Sequence, residues 1–314
     1  MNLDDHAVSD VSSDVSQTHP MDHFPVRPLR FDVRSDSAKS PLWSSSSPEA
    51  AMFLNAFSVH VPYFERYLIR SMNSAKGEIQ DSQLQEDIAA IIGQEANHAR
   101  NFIEFNKFLV DNYPKIGVLE RKAKAYFVEH ADSDSLKTLV GFTAGYETFT
   151  FLAGMIVLAE YEQWMGDSDA DIKALWVWHQ VEEVEHGAVA FDVFKALYGS
   201  QEWYRKFMIA RALTHITWEV VKAYYIQCSY EGVHRSIVRS FKAYGFLLAT
   251  LTKMLANSLP TFSRSYHPRE HPLVTTKQDP IAVAWRRYTA AGGDPLKIDR
   301  EGMARILDVL PEGA

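Results

Sequence analysis

The chain has 314 residues, 46% of them apolar, a formal net charge of −8 and a single cysteine. That length can bury a sizeable core, while the acidic balance and the lack of a basic stripe exclude an electrostatic case for nucleic acid. One thiol, Cys228, can form neither an internal disulfide nor a thiolate metal cluster, which points to a reducing, cytoplasmic setting.

No basic patch followed by an apolar run opens the sequence, so a secretory signal is not expected. Residues 1–24 are rich in Ser, Asp and His and are expected to be a disordered tail. Residues 25–47 mix apolar and basic residues with prolines and suggest an extended arm against the body. A Ser run then leads to Pro48, where a helix start fits.

The first long helix is expected from Pro48 to Met72, bent at Pro62 because a mid-helix proline loses a hydrogen bond. Its inward stripe reads Leu54, Ser58, Val61, Glu65, Leu68, Met72, with one carboxylate at the centre. The second starts near Asp81 or Ser82 and runs to Asn112, before Pro114. Its stripe is Leu84, Ile88, Ile91, Glu95, His98, Phe102, Phe105, Leu109. A shorter, charge-rich helix, about 115–129, should cross the body.

The third bundle helix is expected over 134–164, with Leu136, Val140, Ala144, Glu147, Phe151, Met155 and Leu158 inward. Asp169 or Asp171 can cap a fourth that continues to Tyr198. Its face reads Ile172, Leu175, His179, Glu183, His186, Ala190, Val193, Leu197, so three ionisable groups interrupt an apolar stripe. Two more helices are expected over 201–227 and 233–257, an irregular stretch over 260–272, and short helices at 280–289 and 299–308. The segment from Tyr244 to Leu259 is strongly apolar but is interrupted by Lys253 and too short to span a bilayer. A soluble protein follows, with no membrane partner expected and peripheral contact left open.

The central polar residues form an ordered set: Glu65, then Glu95 with His98, then Glu147, then Glu183 with His186. Bundles that hold two irons or manganeses use one Glu from each of two helices and a Glu-x-x-His pair from each of the other two. The i, i+3 spacing puts both ligands of a pair on one side, one turn apart. Four carboxylates balance two divalent cations, and the gap between Glu95 and Glu147 leaves room for a crossover helix. The fold expected is therefore all-α: a ferritin-like four-helix bundle with a crossover helix and additional C-terminal helices. It would occupy residues 48–275, followed by a helical extension over 276–314. The competing reading, buried ion pairs alone, leaves excess negative charge in the core.

His179 lies one turn before Glu183 and faces the same way, as a third imidazole on one metal or as a neighbour of the ligands. Glu182 and Glu185 turn about 60° and 120° away from it, toward neighbours or the surface, with Glu182 a substitute ligand if the helix rotates. Asp192 is a candidate to hydrogen-bond the free nitrogen of a ligand histidine.

The runs FLNAFS at 53–58, IGQEANH at 92–98, TAGYETFT at 143–150 and WHQVEEVEHGAVAFD at 178–192 resemble the bacterial family of "predicted metal-dependent hydrolases". The likeness covers most of 25–275 and implies a buried di-metal site. It departs near Glu65, where Phe64 stands in place of an expected glycine. The ligand pattern also resembles that of the di-iron arylamine N-oxygenases, which have an extra histidine one turn before the last Glu-x-x-His. That resemblance implies that Glu65, Glu95, His98, Glu147, His179, Glu183 and His186 all bind iron.

The leading expectation is a non-haem di-iron oxygenase or oxidase that uses O2 and an electron donor to oxidise a small apolar or aromatic substrate. Its cofactor would be two Fe ions, with Mn as a substitute. The alternative is a di-metal hydrolase using Fe, Mn or Zn, and a third reading is iron storage or structural metal binding. The added helices over 201–257 leave three expectations open: a cover over the open side of the bundle, a homodimer surface, or the lining of an apolar entry channel.

Overall fold

A computed structural model describes residues 19–22, 24–34, 39–274 and 280–294. The expected helix at 299–308 and most of the N-terminal tail lie outside the described residues. The described chain is all-α, and its one β-type contact is an isolated bridge between Ser44 and Ser168. Where the tail meets the arm, Pro20–Asp22 forms a short 3-10 turn with Met21 and Phe24 buried beside it.

Helix α1 (Pro48–Ser58) starts where Ser47 Oγ accepts from the Ala50 amide at 3.1 Å. The expected bend at Pro62 is a break: α1 ends, and α2 (Val61–Lys76) begins anew with Pro62 in its first turn. A proline there forfeits no helical hydrogen bond, because the first-turn amides have no intrahelical acceptor. Helix α3 (Ser82–Asn112) is capped by Asp81 Oδ1 on the Leu84 amide at 2.9 Å. Helix α4 (Ile116–Ser133) connects it to α5 (Leu136–Ala159) and packs against α2 on the way.

The expected third helix stops early, at Ala159, and a separate short α6 (Tyr161–Met165) follows. Helix α7 (Ala170–Glu185) is capped by Asp169 on the Ile172 amide at 3.0 Å. It does not continue to Tyr198 as one rod. It ends at Glu185 with His186 as its C-cap, and α8 (Val189–Tyr198) starts after a break at Gly187. A Cβ on Gly187 would sit 2.5 Å from the Phe151 ring, so α5 presses an aromatic side chain against bare backbone.

Helices α2, α3, α5 and α7 enclose the centre of the protein. Helix α5 is its axis and touches α2, α7, α8 and α9. Although apolar enough to cross a bilayer, it is 89% buried over its most apolar window and is a core helix. Gly154 allows α7 to approach it, since a Cβ there would lie 3.0 Å from the Gln180 carbonyl. Helices α9 (Glu202–Tyr230) and α10 (Ile237–Ser258) then cover α1 and α5 from outside.

The arm is fastened by specific contacts. The Phe31 amide donates to Asn101 Oδ1 at 3.1 Å, Asn101 Nδ2 donates to the Leu29 carbonyl at 3.0 Å, and Trp43 Nε1 donates to Asn55 Oδ1 at 2.9 Å. Helix α11 (Pro280–Ala290) closes the same side of the molecule, with Trp285 fully buried.

Candidate metal centre

Each enclosing helix brings its central polar residues to one place. Helix α2 supplies Glu65, α3 supplies Glu95 and His98, α5 supplies Glu147, and α7 supplies His179 and Glu183 with His186 at its C-cap. None of the seven is more than 2% exposed. They form two groups, each compact enough to hold a cation. Glu65, His98, His179 and Glu183 make one; Glu95, Glu147, Glu183 and His186 make the other. Glu183 belongs to both and can bridge them.

In the first group His179 Nε2 lies 3.1 Å from Glu183 Oε1 and 3.5 Å from Glu65 Oε1. His98 Nδ1 is 3.8 Å from Glu65 Oε1 and 3.5 Å from Glu183 Oε1. In the second, His186 Nε2 is 3.1 Å from Glu95 Oε1, 3.3 Å from Glu147 Oε2 and 3.5 Å from Glu183 Oε2. His98 Nδ1 also reaches Glu95 Oε2 at 3.5 Å, which ties the groups together.

The atoms that face inward lack well-directed hydrogen bonds. Both oxygens of Glu65 and Glu95, one each of Glu147 and Glu183, and the inward nitrogens of His98, His179 and His186 have no such partner. A buried polar atom without a partner is costly, and so many converging on one point suit bound cations. This donor set fits a pair of metal ions.

The outward nitrogens are held by side chains. His98 Nε2 lies 2.9 Å from Glu182 Oε2, and His186 Nδ1 lies 2.9 Å from Gln94 Oε1. His179 Nδ1 meets the Gln180 amide at 2.8 Å. For Nε2 of His179 to face a cation, Nδ1 must carry the proton, and Gln180 must turn its otherwise unpartnered Oε1 toward it.

Behind these stands Arg27 of the arm. Its guanidinium donates to Glu182 at 3.0 Å and to both oxygens of Glu185 at 2.7 and 2.8 Å, and it sits under the Trp285 ring at 5.2 Å. Glu182 and Glu185 are therefore buried neighbours of the ligands, the first of the two places expected for them, and not surface groups. Arg27, Gln94 and Gln180 escape a search for ligand types, because none is a metal-binding residue type. Asp192 is placed elsewhere, 2.9 Å from His267 Nε2, with Gln94 and Glu182 serving the cluster histidines instead.

The carboxylates and imidazoles shift one another in opposite directions. Burial raises Glu65 well above the usual carboxylate range, aided by Glu95, and raises Glu147 to about 8. Burial pushes Glu183 up as well, but His179 and His186 overcome it and hold the group well below its ordinary value. Glu95 is lowered too, because His186 and His98 outweigh burial and Glu183. His98 and His186 lie well above an ordinary imidazole despite burial, through their carboxylate contacts, while burial lowers His179. Four ionised carboxylates with neutral imidazoles can hold two divalent cations without leaving net charge behind.

The walls are aromatic. Trp178 sets its edge against His98 with ring centroids 4.7 Å apart, and Phe102 does the same to His179 at 4.6 Å. Thr150 Oγ1, 3.3 Å from Glu147 Oε1, brings a hydroxyl to them.

Comparison with curated proteins and with solved structures finds no match. The family described as "predicted metal-dependent hydrolase" matches residues 25–272, a span that includes Arg27 and every residue of both clusters but ends before α11. With that match over most of its length, and two His/Glu clusters suited to a ferritin-like di-metal site, the chain belongs to this family of predicted metal-dependent hydrolases.

Proposed function

We propose that the protein is a non-haem di-iron oxygenase or oxidase acting on a small apolar or aromatic molecule, in a bundle of ferritin-like topology with α4 as its crossover. The observation that carries this reading is the donor set: four carboxylates and three imidazoles, no thiolate, sharing Glu183 inside aromatic walls. Hard oxygen and nitrogen donors favour iron or manganese, and carboxylates can move between bridging and terminal positions. Bound iron supplies electron transfer to O2, with the remaining electrons coming from the substrate and an external donor.

The chain's own residues do the rest. Glu182, Gln94 and Gln180 fix the three rings so that one nitrogen of each points inward. Arg27 and Trp285 close the outer side of that network. Phe102 and Trp178 exclude water and offer an apolar surface to a substrate.

Metal-assisted hydrolysis is the second reading, supported by the family's description. It needs donors for a developing oxyanion; of the wall residues, Thr150 directs its hydroxyl to Glu147, and Trp178 Nε1 is buried without a partner. The deciding experiment loads the protein with ferrous iron without oxygen and then admits O2. A transient visible absorption band with O2 uptake supports the oxygenase. A colourless protein that takes up no O2 yet cleaves esters or phosphoesters with Zn or Mn overturns it.

A further inference from the structure

Of the fifteen large apolar side chains exposed among the described residues, eleven lie between Trp203 and Leu259. Helix α10 carries four of the five most exposed, Ile237 (87%), Phe241 (84%), Val238 (78%) and Leu248 (68%), with Leu255 further along; the fifth, Trp203 (81%), is on α9. Its other side, Ala243, Leu247, Thr250 and Met254, is packed into the protein. A surface helix normally turns polar residues to water, and this one is apolar on both sides.

The charges of its own segment are one-sided. Residues 232–269 contain no Asp or Glu, in a chain that has 40 among its 314 residues. The same span contains Arg235, Arg239, Lys242, Lys253, Arg264 and Arg269. Lys242 pairs with Glu49, and Lys253 with Glu160. Among the described residues Arg235 and Arg239, which flank Ile237 and Val238, have no carboxylate at ion-pair distance. The Arg239 guanidinium reaches only the Glu231 carbonyl, at 3.0 Å.

We propose that the outer face of α10 docks on an anionic lipid bilayer, with Ile237, Val238 and Phe241 entering the headgroup boundary and Arg235 and Arg239 among the phosphates. Apolar insertion and attraction of Arg or Lys to anionic lipid are the two contributions that hold an interfacial helix in place. A second copy of the chain fits less well. A two-fold interface through this face would bring the same cations opposite each other with no acidic residue of α10 to meet them. The helix does not cross the bilayer; its packed side keeps it on the protein.

The test uses the full-length, metal-loaded protein and flotation with phosphatidylcholine vesicles, with and without roughly a third phosphatidylglycerol. The protein should float with the anionic vesicles only, and less so at high salt. Phe241→Glu and Arg239→Glu should each weaken this by at least about tenfold while leaving metal content and melting temperature unchanged. Ile237→Ser, at a side chain almost wholly in solvent, provides the same comparison if Phe241→Glu fails to fold. Flotation with neither vesicle, or equally with both, overturns the proposal. So does a dimer that Phe241→Glu splits without any vesicle binding by the wild type.

Discussion

Glu182 Oε2 lies 2.9 Å from His98 Nε2, while the other nitrogen of that ring, Nδ1, faces Glu65, Glu95 and Glu183. The carboxylate therefore fixes the tautomer, with Nε2 donating and Nδ1 open to a metal. Glu182→Gln keeps the shape and an acceptor oxygen but removes the charge that makes the ring a stronger ligand. Metal affinity should fall about 10–100-fold, read by competition with a chromophoric chelator. An unchanged affinity would mean that packing against Trp178 alone orients the ring.

Arg27 is the cation that lets two carboxylates share a buried site. It is 13% exposed, and its partners Glu182 and Glu185 are 0% and 1% exposed. Arg27→Met fills similar volume but strands both carboxylates, leaving Arg286, 4.0 Å from Glu185, as the remaining cation. Removing one partner of a buried pair costs about 3–5 kcal/mol. Urea denaturation of the metal-free protein should show a loss of that size. A loss under about 1 kcal/mol would place the pair in water.

The two groups share one residue, so their metals can be removed separately. Glu147 touches only the second group and Glu65 lines only the first, whereas Glu183 is common to both. Glu147→Ala and Glu65→Ala should each retain about one metal per chain, and Glu183→Ala should retain almost none. Metal analysis after gel filtration measures the ratio. Two metals retained in Glu147→Ala would remove that carboxylate from the ligand set.

The inward faces were legible because helical periodicity is local. Glu65, Glu95, His98, Glu147, His179, Glu183 and His186 each stand in the middle of an apolar stripe, and the structure brings them together. The caps at Asp81 and Asp169 were legible for the same reason. What periodicity misses depends on residues far away in the chain. Gly187 looks tolerable inside a helix until Phe151 of α5 is pressed against it. Glu182 and Glu185 look outward until Arg27, 155 and 158 residues earlier, folds over them. Gln94 has no ligand chemistry of its own, and its role appears only when His186 lies 2.9 Å away. Pro62 signals a disturbance in the first helix, but whether it bends or restarts the chain depends on tertiary packing.

His215 gives the protein a measurable acid sensitivity away from the metal ligands. Its ring is stacked on Tyr126 at 4.5 Å, and its Nδ1 meets the Tyr146 hydroxyl. Burial, joined by nearby His60, lowers the imidazole from 6.5 to about 4. Between those values the unfolded chain binds a proton that the folded chain refuses. The stability is thus fully present above 6.5 and is lost as pH falls toward 4. Glu219, which burial pushes up but His60 and Lys222 pull down to about 2, loses its share only below the ordinary carboxylate range. A comparison between pH 7 and pH 5 therefore isolates the histidine from that carboxylate. His215→Gln offers Tyr146 a polar partner and does not titrate. Its stability should drop about 1–2 kcal/mol less than that of the wild type between those two pH values, measured by urea denaturation. Equal drops in the two proteins would show that the folded ring takes up its proton as readily as the unfolded one.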